Sequence, residues 1–281
     1  MRRLAAALIS LASCKGAAAT APVEPAVRAA AIVPGDAAAE ASAASAAEKA
    51  EPEPPPVAMA ETRDAVGPFE LPMMKGRNVW YARPRSIGER RLIAHLHGQC
   101  AHPSYSCGQW LDAGIERGFV VCPTGNERCG SPIGPPQWDE SFALMDQDLE
   151  RGIAAASRAE GDGGISRAGS VMTGFSRGGW AAIDVVRRHP GRWPFLIVIE
   201  ADVTMNAALL RAAKVERVAL IAADHGTELA GERNTVDALK AAGFPAELFV
   251  MPGSWHLYST NIDAIMRQAL AFVLADGPRD P

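Results

Sequence analysis

The chain has 281 residues, 48% of them hydrophobic, and a formal net charge of −4. That is ample for one large domain around a buried core. Basic residues are scattered singly or in pairs such as Arg187-Arg188, so the clustered positive surface that a nucleic acid requires is excluded.

The first segment in chain order is a short cationic start, Met1-Arg2-Arg3, followed by an apolar run over residues 4–12. Such a run is too short for a bilayer, which needs about 20 apolar residues, and reads as a secretory signal. It ends in Leu11-Ala12-Ser13-Cys14, which resembles a bacterial lipobox. The resemblance implies cleavage before Cys14, lipid attachment to its thiol and a lipid-anchored place in the cell envelope or on the cell surface. Lys15 stands where inner-membrane retention is associated with Asp. Residues 15–62 are dominated by Ala, Pro and Glu, with too little apolar surface to offset the entropy of ordering. They read as a tether reaching on the order of 40 Å. The expected organisation is a signal peptide at 1–13, a tether at 14–62 and a catalytic domain at 63–281.

Within that domain, apolar runs bounded by turn signals predict strands at 78–82, 91–96, 119–122, 170–173, 195–199, 218–222 and 246–251. Helical patterns fall at 142–159, 178–188, 207–213, 235–242 and 261–274. The later runs are almost continuous in Val, Ile, Leu and Ala, as in parallel strands covered on both faces. Repeated alternation predicts a doubly wound, mostly parallel α/β sheet with helices on both faces. With Cys14 assigned to lipid, Cys100, Cys107, Cys122 and Cys129 form an even set suited to two disulfides, for which three pairings exist. Equal spacing favours Cys100–Cys107 and Cys122–Cys129.

The chemistry-bearing residues lie at predicted strand ends. Gly174-Phe175-Ser176-Arg177-Gly178 joins a strand to a helix, the context in which G-x-S-x-G presents a serine on a sharp, strained turn. A serine hydroxyl needs a base. His256, after the last strand and the Pro252-Gly253-Ser254-Trp255 loop, is placed to supply it. An acid should orient that imidazole. Asp224 is preferred, directly after the 219–223 run, with Glu228 and then Asp202 as alternatives. His95 and His97 alternate on one strand and so share a face. A zinc reading of them lacks further ligands nearby. Of the tryptophans at 110, 138, 180, 193 and 255, Trp255 is the best placed to wall a site. Asp146 and Asp148 read as a solvated acidic helix face.

The elbow, the His95-Leu96-His97-Gly98-Gln99 segment and the late His256 together resemble the α/β-hydrolase superfamily across about residues 70–275. The nearest members in pattern are secreted esterases, polyester depolymerases, feruloyl esterases and dienelactone hydrolases. The resemblance implies an oxyanion hole from the N–H groups of Arg177 and Gln99. It also implies ester hydrolysis through an acyl-enzyme and no cofactor. The substrate would be a small or polymer-linked ester. A peptidase, an acyltransferase and a catalytically silent binding protein remain as alternatives on the same fold. Only residues 188–194 separate the elbow helix from the next strand, which leaves no room there for a large lid.

Overall fold

The computed structural model describes residues 66–86, 88–139, 141–161 and 164–275; Cys14 and the expected signal and tether lie outside them. The chain opens with a hairpin, β1 (Phe69–Met74) and β2 (Arg77–Ala82), turning at Gly76, whose φ is +72°. There follow β3 (Arg91–Leu96), α1 (Pro103–Gly108), β4 (Phe119–Pro123) and a small ladder of β5 (Glu127–Arg128) with β6 (Pro136–Gln137). Next come α2 (Phe142–Glu160), β7 (Ser166–Phe175), α3 (Arg177–Arg188), β8 (Phe195–Ile199) and α4 (Ala207–Ala212). The chain continues through β9 (Arg217–Ala223), α5 (Leu229–Ala241), β10 (Ala246–Met251) and α6 (Ile262–Val273).

Eight strands form one sheet in the order β1-β2-β4-β3-β7-β8-β9-β10. The first two pairings are antiparallel, and every pairing from β4–β3 onward is parallel. Alternate residues of the central strands feed two separate cores. Met172, Leu196 and Val198 point to the face covered by α2, α3, α4 and α5, with Leu149, Val185, Leu210 and Val236. Val171, Ile197 and Ile199 point to the face covered by α1 and α6, with Cys107, Met266 and Leu270. Coverage of the central strands on both sides explains why these runs are predominantly apolar on both alternating faces. Each buried Leu, Ile or Val contributes about 1.5–3 kcal/mol of apolar burial. Among the described residues no helix is long and apolar enough to cross a membrane.

Three expectations change. The half-cystines pair as Cys100–Cys129 and Cys107–Cys122, not as the equal spacing favoured. The helix α1 lays Cys107 against β4, which carries Cys122, while Cys129 on the β5–β6 turn folds back to the loop after β3. Tertiary approach thus overrides sequence proximity. The acidic residues of α2 are not a solvated face. Asp148 is buried under a two-toothed contact from Arg77 at 2.6 and 2.8 Å, with Arg151 at 3.1 Å, and Asp146 meets His189 at 2.5 Å. Finally, α5 begins at Leu229, ahead of the expected 235, because its first turns carry Gly231 and the charged Glu232 and Arg233, which read as loop. The strand β1 and the helix α1 had no counterpart in the expected elements. The first is an edge strand interrupted by Pro72, and the second is a short turn of helix with Pro103 in its first turn.

Candidate active site

Three strands end side by side under the site. Phe175 of β7 pairs with Ile199 of β8, and Ile199 with Ile221 of β9. The next residue on β7 is Ser176 and on β8 is Glu200. Both take φ of +51°, where a side chain is rarely tolerated and strain of about 1–3 kcal/mol is stored. Each continues the ladder by one bond: Ser176 N–H donates to Ile199 O at 2.8 Å, and Glu200 N–H to Ile221 O at 2.9 Å. The sharp turn at Ser176 needs its glycines. A Cβ on Gly174 would lie 2.1 Å from Gly178 O, and one on Gly178 would lie 2.0 Å from Leu96 O. These contacts also bring the loop after β3 against the start of α3.

His256 links the two strand ends. Its Nε2 lies 2.8 Å from Ser176 Oγ, and its Nδ1 lies 3.1 Å from Glu200 Oε2 and 3.5 Å from Glu228 Oε1. A carboxylate only accepts, so Nδ1 carries the proton, Nε2 is the open lone pair and the Ser176 hydroxyl donates to it. Glu200 is fully buried, and its second oxygen accepts from Ala223 N–H. The hydrogen bond to Glu200 raises the His256 pKa; partial burial opposes that shift, and the charge of Glu228 adds to it. The ring is 46% exposed, so water reaches it.

Asp224, the expected acid, is not on the ring. Its carboxylate accepts the Gly253 and Ser254 N–H groups at 3.0 and 3.2 Å, so it braces the loop that carries His256. Those backbone donors, Gly253 first, hold its carboxyl below the usual range. The reason is the path of the chain: β9 runs two residues past the level of β8, and the loop after β10 folds over its end with Asp224 N–H on Met251 O. Asp202 also points elsewhere, packing against the backbone at Gly231. Glu228 does reach the ring. Glu200 was not among the expected candidates. Its signal was its offset, the first residue after an apolar strand, matching that of Ser176 after β7.

His95 of β3 and His97 just after it are framework. Both are fully buried, which pushes the His95 pKa down to about 3 and that of His97 down to about 4. His95 uses both nitrogens, on Thr173 Oγ1 at 2.7 Å and the Tyr258 hydroxyl at 3.3 Å. His97 donates from Nδ1 to Gly98 O at 2.8 Å and accepts Gly125 N–H at Nε2. With every ring nitrogen engaged, neither offers a lone pair to a metal. The donor atoms of Glu200, Glu228 and His256 do converge within 4.8 Å, but the Nδ1 proton already lies between them.

Gln99 is exposed, one residue past Gly98, which packs on the Phe175 ring; Arg177 begins α3 and ties its guanidinium to Trp138 O and Asp139 O, both at 3.1 Å. Rings run from the site outward: Phe175 stands 5.3 Å from His256 and 4.6 Å from Tyr258, which lies 6.0 Å from Tyr105. Trp255 is 68% exposed against His225, while Trp110, Trp138 and Trp193 are core.

No family model and no curated protein matches the chain. Solved structures do. A ferulic acid esterase is 16% identical with a TM-score of 0.52, covering 71% of this chain and 92% of its own. An S-formylglutathione hydrolase from Agrobacterium tumefaciens is 14% identical with a TM-score of 0.52, covering 71% and 89%. A fluorophosphonate-binding serine hydrolase from Staphylococcus aureus is 13% identical with a TM-score of 0.50, covering 70% and 92%. At these identities the likeness is one of fold, and the chain has the α/β-hydrolase fold.

Proposed function

We propose that this protein is a serine hydrolase that cleaves carboxylic esters through an acyl-enzyme. The observation that carries the reading is the relay Ser176–His256–Glu200, with heavy-atom distances of 2.8 and 3.1 Å. In the first half-reaction Ser176 Oγ attacks the ester carbonyl, and its proton passes to His256 Nε2. Glu200 stabilises the resulting imidazolium. The backbone N–H groups of Arg177 and Gln99 receive the developing oxyanion. The imidazolium then gives its proton to the leaving alcohol. In the second half, His256 deprotonates water, which attacks the acyl carbonyl and returns Ser176. No cofactor is needed for these steps.

The exposure of His256 favours water over a second alcohol as the acceptor, and hence hydrolysis over acyl transfer. The neighbouring fold relatives include proteins named as an esterase and as serine hydrolases, which supports the same class. The test is labelling with a fluorophosphonate probe beside turnover of p-nitrophenyl esters of increasing chain length. Wild type should label and turn over, and Ser176→Ala and His256→Ala should do neither. Folded wild type that resists the probe and leaves the esters intact would favour a silent binding protein. We further propose lipid anchoring through Cys14 at the cell envelope, resting on the Leu11-Ala12-Ser13-Cys14 segment. Metabolic incorporation of labelled palmitate that survives in Cys14→Ser would remove that part.

A further inference from the structure

Gln99 lies between two anchor points that fix its loop to one and the same stretch of chain. Upstream, His97 is held by that stretch in several ways. It accepts Gly125 N–H at 2.9 Å, its carbonyl accepts Trp138 Nε1–H at 2.9 Å, and its ring stacks on the Trp138 indole at 4.8 Å. Downstream, Cys100 is bonded to Cys129, with the Cα atoms 5.5 Å apart. Cys129 is itself set in the β5–β6 turn, its N–H on Pro135 O and its Sγ 3.0 Å from Gln137 Oε1. The far end of that turn is tied to the elbow by the Arg177 side chain. Gln99 and Cys100 are both exposed, and regular structure resumes only at Pro103. Cys100 also holds φ of +54°, a conformation that a non-glycine residue keeps only when its surroundings impose it.

Resting on the serine-hydrolase reading, we propose that the Cys100–Cys129 disulfide is a positioning element of the oxyanion hole, holding the Gln99 N–H at the nucleophile, so that hydrolysis depends on the oxidised pair. The upstream anchor survives reduction because it is made of buried hydrogen bonds. The downstream anchor does not, and the next fixed point after Gln99 is then Pro103, at the start of α1. The second disulfide differs in kind. Cys107 and Cys122 are both fully buried between α1 and the sheet, out of reach of a solvent thiol while the domain is folded. Redox access is therefore confined to the pair beside the site.

The reducing step balances with a dithiol as co-reactant. One thiolate of the dithiol attacks Cys100 Sγ, forming a mixed disulfide and expelling Cys129 as a thiolate that takes up a proton. The second thiol closes the reductant into a cyclic disulfide and releases Cys100 as a thiol. Two electrons pass from reductant to protein, and one disulfide is exchanged for another.

The experiment treats the full-length protein with graded dithiothreitol, alkylates free thiols and locates them by peptide mass. In parallel it measures steady-state hydrolysis of p-nitrophenyl acetate and the near-ultraviolet circular dichroism. Alkylation of Cys100 and Cys129 should accompany a fall in kcat of about tenfold to a hundredfold, below the roughly 10²–10³ of deleting an oxyanion donor outright. KM should stay within about twofold, as for an interaction made only in the transition state. The dichroism should be retained, Cys107 and Cys122 should stay unmodified, and reoxidation should restore kcat. Cys100→Ser with Cys129→Ser should reproduce the reduced rate and lose its response to dithiothreitol. Full kcat with the pair alkylated overturns the proposal, as does activity that is lost only together with tertiary structure. A pair that resists the reductant in the folded protein also counts against it. Oxidised wild type that neither turns over esters nor reacts with the fluorophosphonate takes down the enzymatic reading itself, and this proposal with it.

Discussion

Ser176 and Glu200 sit at matching positions on adjacent strands, with the same φ and the same added rung of ladder, yet the surroundings of the two ends differ. At Ser176 the constraint is backbone against backbone. Gly174, Gly178 and the carbonyl of Leu96 meet so closely that a methyl group has no room. At Glu200 the constraint is charge. Glu200, Glu228 and Glu232 gather around the first residues after β8 and the start of α5, and their roles follow from which oxygen finds which donor. Steric demands leave a signature in local sequence, whereas the sharing of donors among carboxylates depends on chain segments far apart. The Ser176 end, the proposed nucleophile end, should therefore be intolerant of any change, and the Glu200 end, the proposed acid end, should show graded responses.

The largest effects belong to the nucleophile end. Ser176→Ala and His256→Ala should each lower kcat by about 10⁴-fold or more, with the fold retained by circular dichroism. Gly178→Ala should be nearly as damaging, because its Cβ would overlap Leu96 O, and it should lower the melting temperature as well. A Gly178→Ala protein with wild-type kcat would remove the steric half of the comparison.

At the acid end the decisive pair is Glu200→Gln against Asp224→Asn. Glu200→Gln leaves the shape but removes the charge facing Nδ1, and kcat should fall by about 10²–10⁴-fold, the lower part of that range applying if Glu228 takes up part of the role. Asp224→Asn should leave kcat within about tenfold and act mainly by loosening the 252–256 loop. Steady-state rates at saturating ester decide the matter, and the reverse ranking would restore Asp224 as the acid.

Glu228 offers a finer probe, through pH. In the proposed mechanism His256 must be neutral to act as base, so the acid limb of kcat/KM should follow its pKa, which Glu200 and Glu228 raise. Removing a negative neighbour lowers that pKa and moves the limb to lower pH, leaving more neutral imidazole in mildly acidic buffer. Glu228→Gln should shift the limb downward while kcat on the alkaline plateau changes little. An unmoved or upward-shifted limb would show that the 3.5 Å approach has no electrostatic consequence.

Much of the framework was legible. The strands at 91–96, 195–199 and 246–251 match their apolar runs end to end; for the central ones the reason is that strands buried on both faces admit few polar residues. The elbow was legible through its glycines, and His256 through its place after the last strand. Glu200 was hidden by its own position, since a glutamate ending an apolar run reads as the point where the strand meets water. Its full burial comes from Ala223 N–H and His256, which no local window contains. Asp224 fitted the expected place for an acid, in the loop directly after the penultimate strand. The disulfides were misread for a similar reason: equal spacing is a local pattern, and pairing is decided by where α1 and the β5–β6 turn dock.

The smallest predicted effect concerns Glu232, beneath the acid end. Its Oε1 accepts Ala201 N–H at 2.8 Å, and its Oε2 is buried with no hydrogen-bond partner among the described residues. Burial first, and then the charges of Glu200, Glu228 and Asp202, push its pKa up to about 9. The folded protein thus keeps a proton that the unfolded chain releases near the ordinary glutamate value of 4.5. Between those two values the unfolded state binds fewer protons, so the stability contributed by Glu232 is complete below the lower value and declines as pH rises toward the upper one. Glu232→Gln keeps the shape and the acceptor for Ala201 but has no proton to lose, so its stability should fall less with pH. In urea unfolding at about pH 5 and about pH 8, near the start and near the end of the wild-type decline, the variant should gain on wild type at the higher pH, with Ser176 reactivity unchanged. Parallel stability curves would mean that Glu232 is ionised in the folded protein, and that the acid end carries three negative charges rather than two.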